Sequence, residues 1–471
     1  MVYVVFGSPA LFALFSPPRS LGLGKALGSV WPGENHAVAI VSLPVWQSKR
    51  GLGVSLASLY VLLKLVQHSF ESALSALNFR YAMDEKRAQA AATALSIPAD
   101  DMAKTKAYSR DKFRYGQVSG WITTLVSLVF LWTGGLGWVE ALVTRWTQSL
   151  GFSSPVLLGL GFFALLGVLS YLLSLPFDLY FTFVLEQKHG FNRQTWKGFV
   201  SDQIKGALLG IILGGLVLSL LLSVMQKTGN SWWWMAWLLL FAFNLLTAWL
   251  YPTLLAPLFN TFSPLEEGAL KEAIFELAKK IDFKTDGISI MDASRRSAHG
   301  NAYFTGVFGK KRIVLFDTLV KSMGHQEIVA VLAHELGHFK LNHVRWSLIR
   351  AFFTTGLTFF ALSLCLPLKE FYQAFGLQDV SYYGALVIFS LWFGPIGFIL
   401  RPLGSLISRR NEFAADAFAL QQVPDKRSLG DALLKLRENS HVMPLSHPLY
   451  SAIYHSHPPL LERLKAMGYI H

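Results

Sequence analysis

His334 and His338 stand four residues apart, with Glu335 directly after the first. On a helix that step returns to the same face, so both imidazoles reach one point in space. Two imidazole nitrogens converging there suit a divalent metal such as zinc. A carboxylate beside the first ligand reaches a water on that metal and can take its proton. The segment His334-Glu335-Leu336-Gly337-His338 therefore has the HExxH form used in metal-assisted hydrolysis. The plain alternative is a charged helix surface that carries two histidines. Ala333, Leu336 and the apolar stripe Ile328, Val329, Val331 and Leu332 favour a buried catalytic helix instead.

A hydrolytic zinc takes three protein ligands and keeps one position open. The third must be a His, Glu or Asp from elsewhere, and Glu412 is the best candidate. It lies in Ser408-Arg409-Arg410-Asn411-Glu412-Phe413-Ala414-Ala415-Asp416, which continues from an apolar span. Asp416 follows one turn later on the same face, where it can accept a hydrogen bond from a ligand histidine and fix its tautomer. Two such carboxylates alone would read as a solvated helix face; the HExxH segment reverses that. The expected complement is one zinc ion per chain. His343 comes five residues after His338, off the ligand face of a continuous helix, and reads as structural or interfacial. Cys365 is the single cysteine and sits in an apolar run, which argues against a cysteine-based metal site or nucleophile.

The elements that must position these groups belong to a membrane protein. Hydrophobic residues make up 52% of the 471 and charged residues only 15%. Soluble domains carry about 25% charged residues. Mean hydropathy is +0.40. A hydrocarbon core of about 30 Å takes roughly 20 apolar residues as a helix. Seven stretches qualify, near 54–77, 119–143, 155–185, 206–225, 232–256, 351–368 and 383–401. Gly206, Gly210, Gly214 and Gly215 predict close helix packing in the fourth, and Trp232, Trp233, Trp234 and Trp237 predict interfacial anchoring of the fifth.

Charge tests the parse. The first, third and fifth loops and the tail are rich in Lys and Arg; the even loops hold only Arg145, Lys227 and Lys369. The odd loops and the C-terminus are thus expected in the cytoplasm and the N-terminus outside. The same topology accounts for the net charge of +13, and no nucleic-acid recognition pattern accompanies it. The chain divides into a loosely attached leader (1–53), five spans with their loops (54–256), a metalloprotease unit (257–350), two spans (351–401) and a C-terminal cytoplasmic segment (402–471) carrying the third ligand. Within the unit, 268–282 reads as an amphipathic helix, with short strands at 288–290 and 312–316, so a small α+β body is expected.

The chain resembles the type I CAAX prenyl protease family. Besides the HExxH segment, the likeness rests on Glu186-Gln187-Lys188-His189-Gly190-Phe191-Asn192, on 252–264, and on Ser294-Arg295-Arg296-Ser297 with Asn301-Ala302-Tyr303-Phe304. Glu412 with Ala415-Asp416, and Ser456-His457-Pro458-Pro459 with Glu462-Arg463-Leu464, extend it. It runs from about residue 55 to the end. The resemblance implies a mainly α fold of seven transmembrane helices enclosing a chamber, with the α+β zinc unit on the cytoplasmic side. A chamber would give a role to Lys64, His68, Asp178 and Asn244 inside the spans; snorkelling is the alternative for the first two. It also implies Asn301 and His457 as groups that bind substrate backbone or the oxyanion, beside Glu335 as general base. The implied substrate is a peptide or membrane-associated protein of CAAX type, prenylated or not, met at the lipid bilayer. The membrane would be the inner one in a bacterium or the endoplasmic reticulum in a eukaryote. Two readings compete: a general membrane-protein quality-control protease, and a transporter or scaffold with a structural zinc. Arg409 and Arg410 are candidates to hold a substrate carboxylate or to face lipid head groups, and neither is assigned.

Overall fold

The computed structural model describes residues 52–305 and 311–470. The expected leader lies almost wholly outside the described residues. The chain is dominated by helices, with one four-stranded sheet. Among the described residues, five helices are long and apolar enough to cross a membrane: Pro155–Glu186, Trp196–Lys227, Gly229–Leu258, His343–Cys365 and Tyr382–Gln422. A sixth crossing arises if the pair Ala99–Trp132 and Gly135–Ser149, bent by 65°, is one span. The expected 119–143 span is thus broken at Gly134, whose φ of 79° suits glycine. The expected first span lies in the helix Leu52–Met83, which carries Lys64, His68 and Glu71 along its length.

The contacts sort the loops into two ends. The first loop, the third loop and the tail meet: Tyr108 donates to Glu186 at 2.5 Å, and the Asn78 carboxamide oxygen accepts from Ser446 and from the His447 amide. At the other end, Tyr383 donates to Glu140 at 2.6 Å, and a large buried cluster gathers Leu136, Val139, Phe162, Leu222, Met225, Trp232, Phe359 and Tyr372.

Two packing expectations fail. The four glycines of 206–215 meet nothing within 4 Å of where a Cβ would stand; the backbone there relaxes into a π-turn, Gly210–Gly214. Close packing occurs instead at Gly356, where a Cβ would lie 2.8 Å from Trp237. The tryptophans are not all anchors either. Trp232 is buried, and Trp237 donates its indole N–H to the Phe352 carbonyl at 2.9 Å. An indole N–H within apolar surroundings seeks such an acceptor, so packing outcompetes the interface.

The soluble unit forms between the fifth and sixth apolar stretches. Its sheet comprises β1 (Phe262–Pro264), β2 (Ile288–Met291), β3 (Ala302–Thr305) and β4 (Arg312–Phe316). The spatial order is β1-β2-β4-β3, with β2 parallel to β4 and both outer pairs antiparallel. The period-2 alternation of strand side chains separates two faces. Ile288, Ile313 and Leu315 join Ile274, Leu277, Ile328, Leu332 and Leu336 in one core, while Met291 and Val314 line the other side. Ala419, Val423, Leu429 and Ala432 from the C-terminal segment enter the same core. The unit is tied to the Trp196–Lys227 helix by a two-pronged pair, Arg296 to Asp202 at 2.8 and 2.9 Å.

Candidate active site

The HExxH residues lie on the helix His325–Lys340. Its start is set by Glu327, whose carboxylate accepts from the Gly324 amide at 2.7 Å. His334 is buried, while Glu335 and His338 are half-buried. The helix packs against Tyr382–Gln422 at one close point. A Cβ on Gly337 would stand 3.1 Å from Phe418 and 3.4 Å from the Ala415 backbone. Glycine allows that approach without displacing Phe418, and it brings Glu412 over the two histidines.

His334 Nε2 and His338 Nε2 are 3.3 Å apart. The Glu412 carboxylate straddles the pair, Oε2 lying 3.4 Å from His334 Nε2 and Oε1 3.3 Å from His338 Nε2. The three residues each offer a ligand atom within 4.8 Å of the others, close enough to share one small ion. The donor set therefore fits a small divalent metal. A second observation agrees: Glu412 Oε2 is buried and lacks a hydrogen-bond partner. Leaving a carboxylate oxygen buried and unpaired is costly, and a cation at the centre of the triangle removes that cost.

The surrounding groups hold the donors in place. His334 Nδ1 donates to Asp416 Oδ1 at 2.8 Å, which turns Nε2 toward the triangle. Asp416 in turn accepts from Arg463 Nε at 2.8 Å and Nη2 at 2.6 Å. Burial disfavours the charged His334 ring, but the Asp416 and Glu412 carboxylates outweigh it and raise its pKa to about 9. His338 Nδ1 shares a hydrogen bond with His343 Nδ1 at 3.0 Å. His457 Nε2 comes within 3.3 Å of Glu412 Oε1, with the ring largely exposed and its Nδ1 2.9 Å from Ser456 Oγ. Asn301 is exposed at the head of β3; its Oδ1 accepts from the Ala302 amide at 2.8 Å, and its backbone carbonyl accepts from the Phe316 amide. Among the described residues it makes no hydrogen bond to the three donors.

Two neighbours were named in the sequence reading without the contacts they make at the site. His343 was expected off the ligand face, but the helix stops at Leu341 and Asn342 turns left-handed, with φ of 59°. That turn swings the next helix back and lays His343 against His338. Arg463 gave no spacing signal, since its partner Asp416 lies 47 residues away. Arg409 points its guanidinium at backbone carbonyls of the segment before His457.

A membrane-type helical bundle carrying a His–His–Glu metal triangle, with a glutamate beside the first histidine, defines an integral-membrane metallopeptidase. The comparisons with known proteins agree. Residues 264–471 match the model of peptidase family M48, and residues 79–261 match one described as CAAX prenyl protease N-terminal, five membrane helices. The rice (Oryza sativa subsp. japonica) CAAX prenyl protease 1 homolog is 38% identical over 376 residues, covering 79% of this chain and 88% of its own length. The Saccharomyces cerevisiae CAAX prenyl protease 1 is 34% identical over 431 residues, covering 86% and 94%. The crystal structure of S. mikatae Ste24p superposes with a TM-score of 0.82 at 33% identity, over 88% of this chain and 99% of that one. The chain belongs to peptidase family M48, in its CAAX prenyl protease group.

Proposed function

We propose that this chain is a zinc endopeptidase that cleaves near the C-terminus of CAAX-type, prenylated, membrane-associated proteins. The observation that carries the reading is the convergence of His334, His338 and Glu412, which each offer a ligand atom within 4.8 Å of the others, with Glu412 on a membrane-bundle helix. His334, His338 and Glu412 would hold a zinc ion. Bound there, it would supply Lewis acidity toward a scissile carbonyl and a water near neutral pH.

The chain's own groups do the rest. Glu335 has no hydrogen-bond partner among the described residues, so its carboxylate is available as a base. It takes the proton of the attacking water and passes it to the leaving amine as the C–N bond breaks. His457 donates to the oxyanion; its place beside Glu412 supports that role. The Asn301 carboxamide oxygen accepts from the Ala302 amide, and its N–H2 bonds none of the described residues, which leaves it able to donate to substrate backbone. Asp416 holds the His334 tautomer.

The bundle is read as seven helices around a chamber, with the site at the cytoplasmic face. One observation supports the orientation. The end bearing the metal triangle is the end where the basic loops meet. The test is cleavage of a farnesylated CAAX peptide against its unlipidated twin by purified protein in liposomes. A marked preference for the lipidated peptide is expected; equal rates would refute prenyl recognition.

A further inference from the structure

One stripe of the Tyr382–Gln422 helix carries Ser405, Arg409, Glu412 and Asp416, at steps of four, three and four residues. Such steps keep side chains on one face. Glu412 and Asp416 serve the metal triangle. The other two reach a different target, the C-terminal end of the short helix Pro448–Tyr454. Ser405 Oγ donates to the Ile453 carbonyl at 2.8 Å. Arg409 Nη1 stands 2.6 Å from the Ser451 carbonyl, 3.1 Å from that of Ala452 and 3.2 Å from that of His455.

Three of these carbonyls lie in the last turn of that helix and the fourth on His455 just past it, at the helix's negative end. A fixed cation there both satisfies them and sets the helix in place. The chain then runs through Ser456 to His457, two residues past the last carbonyl held. Beyond His457 it is pinned again, by Arg463 on Asp416 of the same stripe. The segment bearing His457 is thus a bridge anchored at both ends on the helix that supplies Glu412. The 3.3 Å approach of His457 to Glu412 follows from those anchors, because His457 itself is mostly exposed and has only Ser456 as a further hydrogen-bond partner among the described residues.

We infer that Arg409, with Ser405, is a positioning residue for His457: it fixes the distance between that imidazole and the metal triangle and does not itself touch substrate. This rests on the reading of His457 as a transition-state donor. Loss of such a donor outright costs on the order of 10²–10³ in kcat. Loosening its anchor should cost less, about tenfold.

The test is a double-mutant cycle on the full-length protein in liposomes, using a farnesylated CAAX peptide. R409Q should lower kcat about tenfold with little change in KM and with metal still at one per chain. R409K, which keeps a cation at the helix end, should recover part of the loss. In an H457A background R409Q should have no further effect. K426Q, at an exposed position of the C-terminal segment, is the control with unchanged turnover. If R409Q does not insert or fold, S405A carries the same expectation at smaller size. Wild-type turnover by R409Q, or a tenfold loss that multiplies with that of H457A, would overturn the anchor. Wild-type turnover by H457A alone would instead overturn the donor role on which the anchor rests.

Discussion

Replacing Asp416 by Asn separates two jobs that its carboxylate performs. It accepts from His334 Nδ1 at 2.8 Å and from Arg463 at 2.6 and 2.8 Å. An asparagine keeps one oxygen for His334 but loses the charge that raises ligand basicity. Metal affinity should drop 10–100-fold, or about 1.4–2.8 kcal/mol. The second job is neutralising Arg463, whose side chain is only 10% exposed. An unpaired buried charge costs about 3–5 kcal/mol, and the remaining Glu412 contact at 3.9 Å puts this case near the lower end. The two effects can be pulled apart with D416N combined with R463L. Removing the stranded guanidinium should restore most of the thermal stability while leaving zinc affinity low. Chelator competition reads the affinity, and tryptophan fluorescence during heating reads the stability. D416N binding zinc within twofold of wild type would refute the argument. So would a double variant that recovers affinity together with stability.

E335Q should abolish peptide cleavage while leaving zinc content and melting unchanged; turnover above a thousandth of wild type would remove Glu335 as the base. In the metal-free protein the His334 ring is protonated up to about pH 9, and that proton must leave before metal binds. Apparent zinc affinity should therefore rise with pH between 7 and 9, by up to about tenfold per unit; a flat titration would show that the ring is neutral when metal-free. D202N removes the carboxylate from the 2.8 and 2.9 Å pair with Arg296, a partly exposed link worth about 1–2 kcal/mol. It should expose residues 187–195 to limited proteolysis sooner while metal content holds; unchanged cleavage kinetics would show that the link carries no load.

Much of this arrangement is legible in the chain because helices write themselves as periodicity. Four-residue spacing is enough to put His334 with His338 and Glu412 with Asp416 on common faces, and the structure brings the two faces together. The strands at 288–290 and 312–316 are legible for the same reason, as short β-branched runs. β1 and β3 are not: Phe262-Ser263-Pro264 and Ala302–Thr305 have little pattern and exist through pairing with their neighbours. The contacts of Arg463 and His343 were not legible because they depend on tertiary approach and on a single left-handed residue. The glycines at 206–215 misled because permission to pack is not a partner to pack against.

The separation of the donors along the chain has a consequence for biosynthesis. Glu412 is polymerised 78 residues after His334 (412 − 334), and Arg463 a further 51 residues later (463 − 412). A ribosome-bound chain that has already exposed the HExxH helix therefore holds only two of the three donors. The three groups can meet only once the Tyr382–Gln422 helix has been made, so a chain ended before residue 412 lacks one of them.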